Sequence, residues 1–437
     1  MSDHAGPVLV TGADVVGTGA ADILVRDGAI AEIGTNLDAA GATRIDADGL
    51  VALPGLVDLH THLREPGRED AETIATGSAA AAAGGFTSVF AMANTNPVTD
   101  TAEAAERIAE LGERVGLVDV HPIGAVTKSL AGEELAELGL MARSRAAVRV
   151  FSDDGKCVHD PVLMRRALEY VKAFDGIIAQ HAQEPRLTEG AQMNEGTVSA
   201  DLGLTGWPAV AEEAVIARDV LLAQHVDSRL HICHLSTAGS VEIVRWAKER
   251  GVTVTAEATP HHLLLTDELV RTFDPVYKVN PPLRTDEDVQ ALRRAVAEGT
   301  IDVIGTDHAP HTTEDKECEW SCAAHGMTGL ETALAVVQHA LVDTGMIGWE
   351  RVAQIMSRRP AQILGLTDQG QDLAPGSVAN IVLWDPAGAT PVDPAHHAPK
   401  ARNSPYRGMT LPGGVRATFY RGHPVVRDGE LTTPVAR

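Results

Sequence analysis

Two histidines two residues apart, His60 and His62, close the apolar run 50–59. On a strand, residues two apart point the same way, so both imidazoles can chelate one cation. Polar, metal-competent residues also close later apolar runs. The run 147–151 is followed by Ser152, Asp153, Asp154 and Gly155, and 176–180 by His181. The run 229–233 is followed by His234, and 301–306 by Asp307, His308 and His311. Each alone has an ordinary reading, since Asp-Asp-Gly is a common turn and a single histidine is often structural. A carboxylate or imidazole at the end of an apolar strand is costly unless it is paired or metal-bound. Its recurrence at five strand ends therefore favours a metal centre. Four imidazoles with one or two carboxylates can hold two divalent ions, and a set without thiolate suits Zn²⁺, with Mn²⁺ or Co²⁺ as alternatives. Paired metals activate water and polarise a carbonyl, which predicts metal-assisted hydrolysis.

Such a site needs a fold that gathers strand ends. Eight apolar runs (50–59, 86–92, 116–124, 147–151, 176–180, 229–233, 252–256 and 301–306) alternate with other segments, and helical periodicity covers 101–114, 208–225, 240–250 and 287–297. The alternation predicts an α/β fold, a (β/α)8 TIM-like barrel with its chemistry at the C-terminal ends of the strands. An open doubly wound sheet is the alternative, weakened because no Gly-rich dinucleotide fingerprint or phosphate loop follows any strand. Both ends of the chain read as short strands between turn signals, at 9–10, 23–25, 30–33, 380–384 and 417–420. Neither end is large enough to fold alone. They are expected to form one composite β-sandwich domain, 1–54 with 367–437, around a barrel of 55–366.

The 437 residues are 44% hydrophobic and 22% charged, a globular balance, and only 3% aromatic, so the core must be aliphatic. Thirty-six basic against 60 acidic residues leave a net charge of −24. That argues against nucleic acid or an anionic membrane as partner. A small anionic substrate stays compatible, because a pocket sets its own field. Four cysteines are too few for a disulfide scaffold, and Cys318 with Cys322 lacks the second pair of a zinc clip. No run of 18 apolar residues suggests a membrane span. The start, MSDHAGPVLV, has neither a basic segment nor an apolar core, so a cytoplasmic protein is expected.

Longer stretches carry a resemblance. They are Asp58 to Gly67 (DLHTHLREPG), Met92 to Thr95 (MANT), Ser152 to Gly155 (SDDG), His231 to Thr237 (HICHLST), Pro260 to Leu264 (PHHLL), Lys278 to Arg284 (KVNPPLR), Thr306 to His311 (TDHAPH) and His325 to Glu331 (HGMTGLE). In this order they resemble the amidohydrolase superfamily, and more closely the bacterial-type dihydroorotases, over about residues 23–425.

The resemblance implies that His60, His62 and Asp307 bind one ion, and His181 and His234 a second. Related hydantoinases and animal-type dihydroorotases bridge the two with a carboxylated lysine, whereas the bacterial subgroup uses the second Asp of the turn, here Asp154. Lys156 is a minor candidate for that place. For substrate it implies Arg64 on a carboxylate, with His62, Asn94, Asn280 and His311 around it and the backbone at His325 and Gly326 on the ring. Asp307 would shuttle the proton. The charged segment 312–324 would form a mobile lid. His121, His261 and His262 are read as structural. The implied reaction is the reversible cyclisation of N-carbamoyl-L-aspartate to L-dihydroorotate in pyrimidine synthesis. A hydantoinase or allantoinase activity, a non-catalytic scaffold subunit of an aspartate carbamoyltransferase complex and a metal-storage role are the alternatives. The resemblance also implies a homodimer, and some such enzymes act in complex with aspartate carbamoyltransferase.

Overall fold

A computed structural model describes residues 6–432 of the chain. The reading of the first five residues as free of a targeting signal falls outside the described residues. The fold mixes α and β elements. Nine strands drawn from both ends make one sheet. Val51–Pro54 joins its two parts, pairing parallel with Val8–Val15 and antiparallel with Ile381–Pro391. Alternate residues of this sheet, among them Val10, Ile23, Ile30, Ile381 and Phe419, bury one aliphatic cluster.

Between these ends lie eight strands in two parallel sheets, besides the short parallel pair Met193–Asn194 and Gly206–Trp207. Leu56–Thr61, Phe86–Ala91 and Asp119–Pro122 form one sheet. Val150–Phe151, Ile177–Gln180, Leu230–Ile232, Val254–Ala258 and Val303–Ile304 form another. Single parallel bridges link the two, Gly124 to Phe151 on one side and Thr61 to His308 on the other. Val57, Leu59, Phe90, Ile123, Val150, Ile177, Ala179 and Val303 pack together inside, as a period of two requires. Ile178, Leu230, Ile232 and Val254 face outward against Val215, Ile216, Val220 and Val244 of the covering helices.

Those helices begin and end where capping chemistry directs. Thr101 caps Ala102–Val115, which stops at Gly116 with φ 67°. Thr285 and Asp288 form a capping box on Asp286–Glu298, which stops at Gly299. Ile74–Ala83 lacked a periodic signal because its alanine run is buried on several sides.

The run 50–59 is not one strand, as expected from its hydrophobicity. It divides at Gly55, where a Cβ would fall 2.3 Å from Thr87 Oγ1. The Gly55 N–H donates to Asn380 and its carbonyl accepts from Ser357 Oγ. Val51–Pro54 thus serves the large sheet, and Leu56–Thr61 aims His60 and His62 at the parallel-strand mouth.

Glu331 is part-buried beside Ala398. Burial pushes its carboxyl up to about 7, although the Ala398 N–H donates to it at 2.7 Å. A carboxyl raised on folding binds its proton more tightly in the native state, so stability falls as pH rises through about 4.5 to 7. Glu331→Gln removes that loss. Urea unfolding should show the variant more stable than the parent by up to about 3 kcal/mol at pH 8, with no difference at pH 4. An equal effect at both pH values would contradict the assignment.

Candidate active site

The structure brings His60, His62, Asp154, His181, His234 and Asp307 into one buried cluster at the strand ends. Asp307 Oδ1 lies 3.0 Å from His62 Nε2 and 3.5 Å from His60 Nε2. Asp154 sits in the middle. Its Oδ1 is 3.4 Å from His60 Nε2, 3.2 Å from His181 Nδ1 and 3.3 Å from His234 Nε2, and its Oδ2 is 3.3 Å from His62 Nε2. One carboxylate therefore faces all four imidazoles. His60, His62 and Asp307 form one group able to hold an ion, and His60, Asp154 and His234 another. Arg64, His234 and Asp307 adopt positive φ of 61°, 29° and 48°. Side chains other than glycine enter this region at a cost, and three such residues in one site show backbone strain held by the surrounding fold.

The electrostatics fit bound cations. Burial pushes His60 down, but Asp154, Glu257 and Asp307 outweigh it and hold its pKa well above the ordinary value. Burial pushes Asp154 and Asp307 up, but the imidazoles outweigh it and hold both well below the carboxylate range. Carboxylates this close to imidazoles demand positive charge, from protons or from metal ions that displace them. His60 Nε2 is buried, has no hydrogen-bond partner among the described residues and points at both carboxylates. Four imidazoles and two carboxylates match the preferences of Zn²⁺ and its neighbours.

A cavity of about 300 Å³ opens on the cluster, lined by Arg64, Asn94, Asn280, His311, His325 and Gly326 together with His62, Asp154, His181 and Asp307. Asn94 Oδ1 accepts from His62 Nδ1 at 2.9 Å, which turns His62 Nε2 toward the carboxylates. Asn280 Nδ2 donates to Gln183 Oε1, while Asn280 Oδ1 is buried with no partner among the described residues. Burial lowers Arg64 to about 10, so it stays charged at neutral pH. Its Nε donates to the Pro310 carbonyl. Burial first, then Arg64 and Lys316, lowers His311 to about 3, so its ring is neutral. His311 Nε2 donates to the His325 carbonyl at 2.8 Å and cannot also accept from Arg64 Nη2, 3.4 Å away. The Arg64 Nη protons are left for an anion in the cavity. A Cβ on Gly326, whose φ is 146°, would fall 2.7 Å from His311 Nε2.

Several expectations need correction. If His234 faces the mouth, strict strand alternation would place His231 in the helix layer. The strand ends at Ile232, His234 lies beyond it at positive φ, and His231 faces inward, bonded to Thr255 and Glu257. The segment 312–324 is not without regular structure. It holds the helix Thr313–Lys316, and buried Lys316 Nζ donates to the carbonyls of Lys278, Ala324 and Gly326. Asp58 and Glu65 serve Thr306 and the Ile74 N–H, which leaves Arg64 available to the cavity as expected of a carboxylate-binding residue. Lys156 is exposed, outside the cavity lining. His262 bonds Thr259 and the Pro281 carbonyl, and His121 stacks on Phe90 at 4.6 Å. Glu257 and Gln183 escaped the sequence reading. Glu257 accepts from His60 Nδ1 at 2.5 Å, and Gln183 Oε1 accepts from His181 Nε2 at 2.8 Å. A lone carboxylate inside Val254–Ala258 was the available signal for Glu257. Gln183 left none.

Fold and site define a class, that of the cyclic amide hydrolases. An L-hydantoinase (dihydropyrimidinase) from Arthrobacter aurescens superposes with a TM-score of 0.86 at 27% identity, covering 98% of this chain and 97% of that one. A dihydropyrimidinase from Brevibacillus agri shares the fold, with a TM-score of 0.85, 24% identity and coverage of 98% and 96%. Sequence narrows the class. Residues 49–240 match the family model described as Dihydro-orotase-like. A dihydroorotase from Streptomyces coelicolor is 65% identical over 424 residues, 97% of this chain and 99% of that protein. One from Mycobacterium tuberculosis is 54% identical over 426 residues, 97% and 99% of the two. The chain belongs to the dihydroorotase family. Among the described residues, no helix is long and apolar enough to cross a membrane.

Proposed function

We propose that this protein is a metal-dependent dihydroorotase, interconverting N-carbamoyl-L-aspartate and L-dihydroorotate in pyrimidine synthesis. The observation that carries the reading is a six-residue donor cluster opening on a cavity whose cation, Arg64, has Nη protons to spare. His60, His62 and Asp307 would hold one divalent ion and His181 and His234 a second, with Asp154 as the shared carboxylate, and Zn²⁺ suits the set. When bound, two such ions supply a Lewis acid for the amide carbonyl and a water of lowered pKa. Arg64 receives the substrate carboxylate on its Nη groups. Asn280 Oδ1 accepts a substrate N–H, and backbone groups of His325 and Gly326 flank the ring. Asp307, held ionised, takes the proton of the attacking water and passes it to the leaving ring nitrogen. In ring closure the same carboxyl works in reverse, and closure consumes a proton, so lower pH favours it.

The reading includes a closed (β/α)8 barrel over 55–366 carrying a β unit of 1–54 and 367–437. The bridges at Gly124 and Thr61 and the shared nine-stranded sheet support it. A homodimer, and association with aspartate carbamoyltransferase, belong to the same proposal through the family. A hydantoinase or allantoinase would need no arginine reserved for a carboxylate. Assayed in parallel on dihydroorotate, hydantoin and allantoin, the protein should turn over dihydroorotate at least 100-fold faster than the others. Comparable rates would overturn the substrate assignment.

A further inference from the structure

Glu257 is a buried carboxylate, 1% exposed, and the one charged residue of the strand Val254–Ala258. A charge there is costly unless every lone pair is used. Its oxygens reach three groups, all belonging to the strands that carry the donor cluster. Oε1 accepts from His60 Nδ1 at 2.5 Å and from the backbone N–H of His234 at 3.0 Å. Oε2 accepts from His231 Nε2 at 3.2 Å, and His231 is tethered in turn by Thr255 Oγ1 at 2.8 Å. The neighbouring backbone is shaped around it, since a Cβ on Gly305 would fall 2.5 Å from Oε2.

We infer that Glu257 is a positioning residue for the metal centre. It rests on the metal-centre reading above and adds what sets the donors. A histidine whose Nδ1–H is committed to a carboxylate offers only Nε2 as a ligand, with fixed ring orientation and raised basicity. That is the nitrogen of His60 left bare between Asp154 and Asp307. The same oxygen pins the backbone at His234, whose φ of 29° turns its ring into the cluster. One carboxylate thus orients a donor to each of the two ions. His231 takes the role of an outer brace rather than a ligand.

The test measures metal binding rather than turnover. Zn²⁺ affinity is read by competition with a chromogenic chelator, and the Co²⁺-substituted protein by its visible spectrum. In Glu257→Gln, affinity should fall 10- to 100-fold and the Co²⁺ bands should shift, while the metal-free protein keeps its fold by circular dichroism. His231→Gln keeps the carboxylate and loses only the brace, and should weaken binding about threefold, guarding against a Glu257 variant that does not fold. Parental affinity and an unchanged Co²⁺ spectrum in both variants would overturn the inference. A parent protein that binds no metal would instead overturn the metal-centre reading.

Discussion

Asp307→Asn should lower kcat for dihydroorotate by about 10²- to 10⁴-fold, the range for loss of a general acid–base, while the protein still retains metal. Geometry is one ground: Asp307 lines the cavity and lies against His62 and His60, so one oxygen can serve an ion while the carboxylate still faces the cavity. Charge is the other. Burial would raise its pKa, but His60 and His62 outweigh that and keep it ionised at neutral pH. Asparagine keeps the shape and an oxygen donor but cannot accept the proton. His181, His234 and Asp154 are untouched and would still hold at least one ion. Metal analysis and steady-state kinetics on one preparation separate the two roles. Turnover within tenfold of the parent would remove Asp307 from proton transfer.

Arg64→Met should have the next largest effect, and on a different constant. Removing charge-assisted bonds to a carboxylate costs about 3–4 kcal/mol, a factor of some 10² to 10³ in kcat/KM. The loss should appear mostly in KM, because the substrate carboxylate is bound equally in ground and transition states. Arg64→Lys should recover only part of it, since an ammonium cannot reproduce the planar fork. The neutral ring of His311 cannot take over the charge. A KM changed less than threefold in Arg64→Met would mean that the carboxylate is bound elsewhere.

What could be read from sequence follows from period and cost. The alternation of strands with helices was legible because helical periodicity is local, as over 101–114 and 287–297, where Ala102–Val115 and Asp286–Glu298 form. His60 and His62 stood out because a period of two at the end of an apolar run leaves them no bland role. The division at Gly55 was not legible, since Val51–Pro54 and Leu56–Thr61 are both apolar and the contacts that part them, with Thr87, Asn380 and Ser357, are tertiary. The inward face of His231 was hidden because alternation fails once the backbone leaves the strand before His234. The tethering of segment 312–324 depends on Lys316 meeting three carbonyls remote in sequence from any pattern. Gln183 and Glu257 act through other side chains, and such partners are set by tertiary approach, not by spacing.

Divalent metal, held by the six-residue cluster, is expected to be required for hydrolysis of dihydroorotate. The most direct measurement is elemental analysis of the purified protein with dihydroorotate turnover recorded before chelation, after chelation and after return of Zn²⁺. The expected result is two divalent ions per chain, turnover abolished when they are removed and restored when they return. Full turnover by protein stripped of metal would contradict it.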